Sequence, residues 1–181
     1  MENSSYFYNN KGIFGHYPSQ IEVYELEKMG IIYFIDLTIP GENLIKKYNT
    51  KVNYYNYPIK DNYIPNDNIG FTIFLTKIKN IILKLNKDEK IYIHCKAGHG
   101  RCGIVVSCLL FMLLKNINST EVLLMTNEYH NKRIRMRDRW RRIGSPQTKF
   151  QKNFVHNYLR PVYLNNKKYN KLLLDDNYRI N

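Results

Sequence analysis

The chain has 181 residues, with 28 Lys and Arg against 15 Asp and Glu for a formal net charge of +13, and its pI lies near 9.6. At 44% hydrophobic and 24% charged residues, with 16 Tyr and 8 Phe, it can fill one sizeable core. Wholesale disorder, collagen-like repetition and a small disulfide-stapled scaffold are thereby excluded. The positive excess points to an anionic partner, whether nucleic acid, an acidic membrane surface or a phosphorylated substrate, without choosing among them. Cys95, Cys102 and Cys108 are odd in number and lie within 14 residues, and Met1 to Asn10 lacks the basic-then-apolar run of a signal peptide. Free thiols in a reducing intracellular compartment, cytoplasmic or nuclear, are expected. The longest apolar run, Ile104 to Leu114 broken only by Ser107, falls short of the roughly 20 residues a bilayer requires and reads as a buried helix.

In chain order, the first predicted element is a helix over Pro18 to Met29, capped by Ser19 and closed by Gly30. A buried strand follows over Ile31 to Leu37, then a second strand over Val52 to Tyr57 that runs into a loop rich in Asp, Asn and Pro. From Asn68 to Leu85 the apolar residues keep the 3.6-residue helical period. Ile91 to His94 is a short strand, and the glycine-bearing stretch Cys95 to Gly103 opens directly into the buried helix. Strand, glycine-rich loop and helix in that order make a phosphate-binding unit. Ser119 is placed to cap the next helix, and Ser145-Pro146 to open a last one carrying Phe150, Phe154, Val155 and Leu159. This alternation predicts a single α/β domain with a central, largely parallel sheet flanked by helices, over residues 1–162, with an unassigned tail over 163–181.

The loop His94-Cys-Lys-Ala-Gly-His-Gly-Arg101 carries the chemistry. A thiol at a strand end, at the N-terminus of a helix and near an arginine is biased towards the thiolate, which makes Cys95 a candidate nucleophile. Between Cys95 and Arg101, the small residues Ala97, Gly98 and Gly100, with Lys96 and His99, let the backbone curl so that its N–H groups form an anion nest. The planar fork of Arg101 suits two oxygens of a phosphoryl group. In-line attack by the thiolate on a phosphate monoester needs no metal or other cofactor, but it does need a general acid for the leaving oxygen from elsewhere in the chain.

The string HCKAGHGRCG resembles the Cys-x5-Arg signature loop of the protein tyrosine and dual-specificity phosphatase superfamily, in the form H-C-K-A-G-x-G-R-[S/T]-G. The likeness extends over residues 12–160. It implies a phosphatase acting through a phospho-cysteine at Cys95, with Arg101 and the loop residues Lys96 to Gly100 and Cys102 binding substrate. It implies an aspartate general acid, and the stretch YPIKDNYIP is similar to the family's acid loop, with Asp61 in the acid position 34 residues before Cys95; Asp67 is the substitute. Gln147-Thr-Lys-Phe-Gln151 is similar to the glutamine loop that positions the hydrolytic water, here with both amides expected on one helical face. His94 is expected to orient the loop by hydrogen bonding.

The chain is too short for the extra loops of the large tyrosine-specific domains and has no phosphotyrosine-recognition loop, so a dual-specificity phosphoprotein phosphatase is favoured. A phosphoinositide or inositol phosphate phosphatase, with Lys96 and His99 as a doubly basic loop, is the alternative, followed by an RNA 5′-phosphatase and by an inactive phosphate-binding module. Cys102 departs from the family's Ser or Thr. A thiol is the weaker donor, so slower breakdown of the phospho-enzyme is expected, and Cys102 is placed to capture an oxidised Cys95. From Lys132 to Arg142 the chain holds seven basic residues and one acid. This stretch reads either as a solvated surface, with Trp140 as its anchor, or as a docking patch for an acidic protein, anionic lipid or RNA, and it also resembles a nuclear-import signal.

Overall fold

The computed structural model describes residues 2–43 and 45–160, so the boundary expected at 162 and the tail 163–181 lie outside the described residues. Five strands, β1 (Ser4–Phe7), β2 (Gly12–Gly15), β3 (Ile31–Asp36), β4 (Asn53–Asn56) and β5 (Lys90–His94), form one sheet in the order β1-β2-β5-β3-β4. The four strands from β2 to β4 are parallel, and β1 pairs antiparallel with β2. Among the described residues six helices surround it: α1 (Gln20–Lys28), α2 (Asn68–Lys84), α3 (Gly100–Leu113), α4 (Ser119–Asn131), α5 (Asp138–Ile143) and α6 over 149–160. No helix of the described residues is long and apolar enough to cross a membrane.

The two faces of the sheet are unequal. On one, Ile13, Phe34 and Tyr92 pack with Val23 and Leu26 of α1. On the other, Ile91 and Ile93 join the larger core with α2, α3, Val122 of α4, and Val155 and Leu159 of α6. Alternate residues of β5 thus serve opposite cores, as a two-residue period requires. Helix α3 is buried on every side from Gly100 to Phe111, which explains why its sequence shows an unbroken apolar run in place of a stripe.

Helix α1 begins at Ser19 with a complete capping box to Glu22, as its sequence predicts. The cap of α4 is Asn118, one residue before the expected Ser119; Asn118 accepts from the Thr120 and Glu121 amides, while the Ser119 hydroxyl meets His156 Nδ1 at 2.8 Å. The hairpin β1–β2 is absent from the sequence reading. Its strands have four residues each, and its turn passes through left-handed Tyr8, Asn9 and Asn10. Asn tolerates that region, which makes the Asn pair the one local signal for the turn.

The last helix also differs from expectation. Ser145 and Pro146 do not open it; the bond between them is cis, and the Ser145 hydroxyl donates to the carbonyl of His99 at 2.6 Å. The helix starts beyond Thr148, which exchanges hydrogen bonds with Gln151 in a capping box: Gln151 N to Thr148 Oγ1 at 3.1 Å and Thr148 N to Gln151 Oε1 at 3.2 Å.

Candidate active site

The loop after β5 sits at the carboxyl ends of the parallel strands, where open α/β sheets place their crevice. Tyr17 N–H donates to the Lys96 carbonyl at 3.1 Å, Arg133 Nη2 to the Gly98 carbonyl at 2.9 Å, and Ser145 Oγ to the His99 carbonyl at 2.6 Å. These peptides are trans, so each N–H points away from its tethered carbonyl. The amides of Ala97, His99 and Gly100 therefore turn towards the concave side of the loop, and Gly98 N–H donates to Cys95 Sγ at 3.2 Å. Gly98 has φ +77, and a Cβ there would lie 2.4 Å from the backbone of Gly15, so the curl depends on glycine. Gly103 is fixed differently, because a Cβ there would meet Ser145 Oγ at 2.3 Å and Pro146 Cα at 2.7 Å. Helix α3 starts behind the loop with no side chain capping it, which adds free first-turn amides and the positive end of its dipole.

Cys95 is 3% exposed. The Cys102 thiol hydrogen-bonds to its sulfur, and with the Arg101 charge and the Cys102 and Gly98 amides this outweighs burial and brings the Cys95 thiol down to about 6. Burial and the neighbouring sulfur push the Cys102 thiol well up, so it remains a donor. Cys102 Sγ also lies 3.6 Å from the Gly15 carbonyl. His94 is fully buried; burial brings it down to about 4 against the pull of Asp36, so it is neutral at pH 7. Its Nε2 meets Tyr48 Oη at 2.7 Å. Asp36 in turn accepts from Thr38 N, Thr38 Oγ1 and Tyr54 Oη, each at 2.7 Å.

Arg101 is 1% exposed and lies between two carboxylates. Nη1 donates to Glu42 Oε2 at 2.6 Å and Nη2 to Oε1 at 2.9 Å, while Nη2 also lies 2.9 Å from Asp61 Oδ1. Burial works against Glu42, yet its hydrogen bonds and ion pair with Arg101 hold its carboxyl below the usual range. Arg101 Nε is buried and has no hydrogen-bond partner. Glu42 is a residue that sequence reasoning misses; its one signal is an acid just after the Pro40-Gly41 turn that follows β3. Asp61 is 53% exposed at its side chain and thus reaches both Arg101 and solvent. The substitute acid Asp67 is the N-cap of α2, with its oxygens accepting from Ile69 N and Gly70 N at 2.9 Å. That cap explains its place in the sequence.

The two glutamines do not share a helical face. Gln147 precedes α6 and donates to Asn62 Oδ1 at 3.3 Å; Gln151, fully buried, donates to the Tyr63 carbonyl at 3.0 Å. Both amides thus touch the residues directly after Asp61. Lys96 is half-buried and Ala97 exposed at the rim. The ring of His99 turns away from the concave side: its Nδ1 meets His130 Nε2 at 2.7 Å, and Trp140 stacks on it at 4.7 Å. Burial, reinforced by Arg133, brings His99 down to about 4, so the expected doubly basic loop of Lys96 and His99 does not form.

The basic stretch is not one solvated surface. Arg133 is 2% exposed beneath the loop, Arg141 donates to the carbonyls of Asn131 and Arg133, and Asp138–Ile143 is helical. Lys132, Arg135, Arg137, Arg139 and Arg142 remain exposed. Trp140 is the anchor, as its sequence context suggests. Among the described residues no group of three or more His, Cys, Asp or Glu is placed to hold a metal ion.

The family model of the PTP-SAK, or Swiss Army Knife, DSP-PTPase phosphatase domain matches residues 16–155. A protein named as a tyrosine phosphatase, 067L of Invertebrate iridescent virus 3, is 39% identical over 160 residues, covering 87% of this chain and 66% of its own. A second, 197R of Invertebrate iridescent virus 6, is 36% identical over 173 residues, covering 90% and 59%. The chain thus spans two thirds or less of the length of these relatives. Among solved structures, kinase associated phosphatase carrying a Cys-to-Ser substitution at its catalytic site superposes with a TM-score of 0.68, at 19% identity, covering 88% of this chain and 95% of that one; it shares the fold. With its family model matched from His16 to Val155, the chain belongs to the DSP-PTPase phosphatase domain family.

Proposed function

We propose that this domain hydrolyses phosphate monoesters of phosphoproteins, with phosphotyrosine and phosphoserine or phosphothreonine both accepted, through a phospho-cysteine at Cys95. The observation that carries the reading is the pairing of a Cys95 thiol brought down to about 6 with a buried, unpartnered Arg101 Nε beside inward-turned loop amides. An oxyanion satisfies that nitrogen and those amides together. In the first step the Cys95 thiolate forms an S–P bond as the ester P–O bond breaks, and Asp61 gives its proton to the leaving oxygen. In the second, water attacks phosphorus, Asp61 takes a proton from it, and the S–P bond breaks to return the thiolate, which the Cys102 thiol stabilises. Gln147, partly exposed beside Asn62, is the better placed of the two amides to hold that water, since Gln151 spends its amide on Thr148 and Tyr63.

Exposed Arg135 and Arg137 line a cavity of about 250 Å³ that also borders Ala97 and His99 of the loop. This favours substrates with further negative charge near the target phosphate, and acidic phosphopeptides fit it. The neutral His99 weakens the phosphoinositide reading.

Hydrolysis of a small aryl phosphate tests the activity. It is expected in the wild type and lost in Cys95→Ser, and a wild type without turnover would leave a phosphate-binding module. A panel of phosphopeptides, phosphoinositide vesicles and triphosphorylated RNA then assigns the substrate, with the phosphopeptides expected to lead.

A further inference from the structure

Arg133 carries a full charge and is 2% exposed, yet no carboxylate pairs with it among the described residues. An unpaired buried guanidinium is costly, so its surroundings must supply negative potential. The neighbours come from several elements. Nη2 donates to the carbonyls of Phe14 in β2, at 3.2 Å, and of Gly98, at 2.9 Å, and Nε to Ser5 Oγ in β1 at 3.4 Å. The guanidinium lies 4.7 Å from the centroid of the Phe14 ring. Of the titratable groups that face it, Cys95 is the one that ionises near neutral pH and favours its charged form against burial, whereas burial keeps Cys102 of α3 and Tyr92 of β5 protonated. His99 and His130 are held neutral beside it, and Arg141 of α5 binds only its carbonyl.

From this we infer that Arg133 is a positioning residue of the phosphate site, holding the Gly98–His99 peptide with its N–H turned into the loop and balancing, from behind, the negative charge of the Cys95 thiolate and of a bound phosphate. The inference rests on the proposed phosphate site. Its geometric half follows from the tether on Gly98: a trans peptide whose carbonyl is fixed outward by a planar fork has its amide fixed inward. Its electrostatic half follows from burial, because a cation with no carboxylate partner is stabilised most when an anion occupies the other side of the loop.

The full chain is compared with Arg133→Met and Arg133→Lys by three measurements, namely the pH midpoint of Cys95 alkylation by iodoacetamide, the calorimetric dissociation constant for inorganic phosphate, and thermal melting. In Arg133→Met the alkylation midpoint is expected to rise by about one pH unit, and phosphate binding to weaken about tenfold. Arg133→Lys keeps the charge but loses the fork, so its midpoint stays near that of the wild type while phosphate binding weakens about fivefold. A folded Arg133→Met with unchanged midpoint and phosphate affinity overturns the inference. If Arg133→Met does not fold, Arg133→Lys decides alone, and phosphate affinity equal to that of the wild type reduces Arg133 to a packing residue. Neither alkylation nor phosphate binding requires turnover, so a wild type that fails to hydrolyse aryl phosphate refutes the phosphatase reading without touching this one.

Discussion

Two arginines are buried at the same loop, at 1% and 2% exposure, and they live in opposite surroundings. Arg101 is gripped by Glu42 and approached by Asp61, so much of its charge is neutralised locally and its orientation is set by a two-point carboxylate clamp. Arg133 has carbonyls, an aromatic face and thiols around it, so its orientation comes from the backbone and its charge is left for the site. The contrast divides the work of holding an anion. In the proposed phosphate site, one guanidinium is aimed beside Cys95, and the other shapes the loop and supplies field from beneath.

The largest expected effect removes the aimed fork. Arg101→Lys should lower kcat/KM for an aryl phosphate about a thousandfold, because an ammonium cannot satisfy Glu42 and two phosphoryl oxygens together. A loss no greater than that of Arg133→Lys would erase the distinction between the two sites. Glu42→Gln keeps the shape of the clamp and removes its charge, and steady-state kinetics should show about a tenfold drop in kcat/KM from a less firmly oriented Arg101.

Smaller effects are expected at Cys102. Cys102→Ala removes the leading hydrogen bond to Cys95, so the alkylation midpoint should rise above that of the wild type. Since only the thiolate reacts, the rate at any lower pH falls accordingly. Cys102→Ser substitutes a stronger donor, and burst kinetics should show the second step about threefold faster. An unchanged steady-state rate after the burst would refute that role.

The mildest effect is on stability. His94, His99 and His130 are held at about 4, 4 and 3 in the folded chain, below the unfolded value of 6.5. The unfolded state therefore binds more protons between those limits, and melting temperature should fall as pH is lowered from about 6.5 to 4. His130→Gln should flatten that slope.

How much of this was legible in the chain depended on whether a signal was local. The Cys95 to Gly103 loop, the period of Asn68–Lys84 and the Ser19 cap are written in adjacent residues, and the structure has them. Asp67 looked like a spare acid because a cap and a catalytic carboxylate share one residue type; only its amide partners separate them. Ser145-Pro146 had the composition of a helix start, but the hydroxyl was claimed by a carbonyl 46 positions away. Arg133 was hidden in a run of like residues, where net charge cannot tell the one buried side chain from its exposed neighbours. Glu42 had no motif, and its meaning depends wholly on the guanidinium it meets.

The three carbonyl tethers of the loop come from Tyr17, Arg133 and Ser145, which lie in well-separated parts of the chain. Such a loop cannot be assembled by any one fragment, so its shape is a property of the completed fold and forms cooperatively with it. A ligand that binds only the completed loop must then stabilise the fold by mass action, by about 2.7 kcal/mol at a hundredfold excess over its dissociation constant, and so raise the melting temperature. Inorganic phosphate becomes a reporter of folding as much as of catalysis, and loosening any one tether should lower thermal stability and anion affinity together.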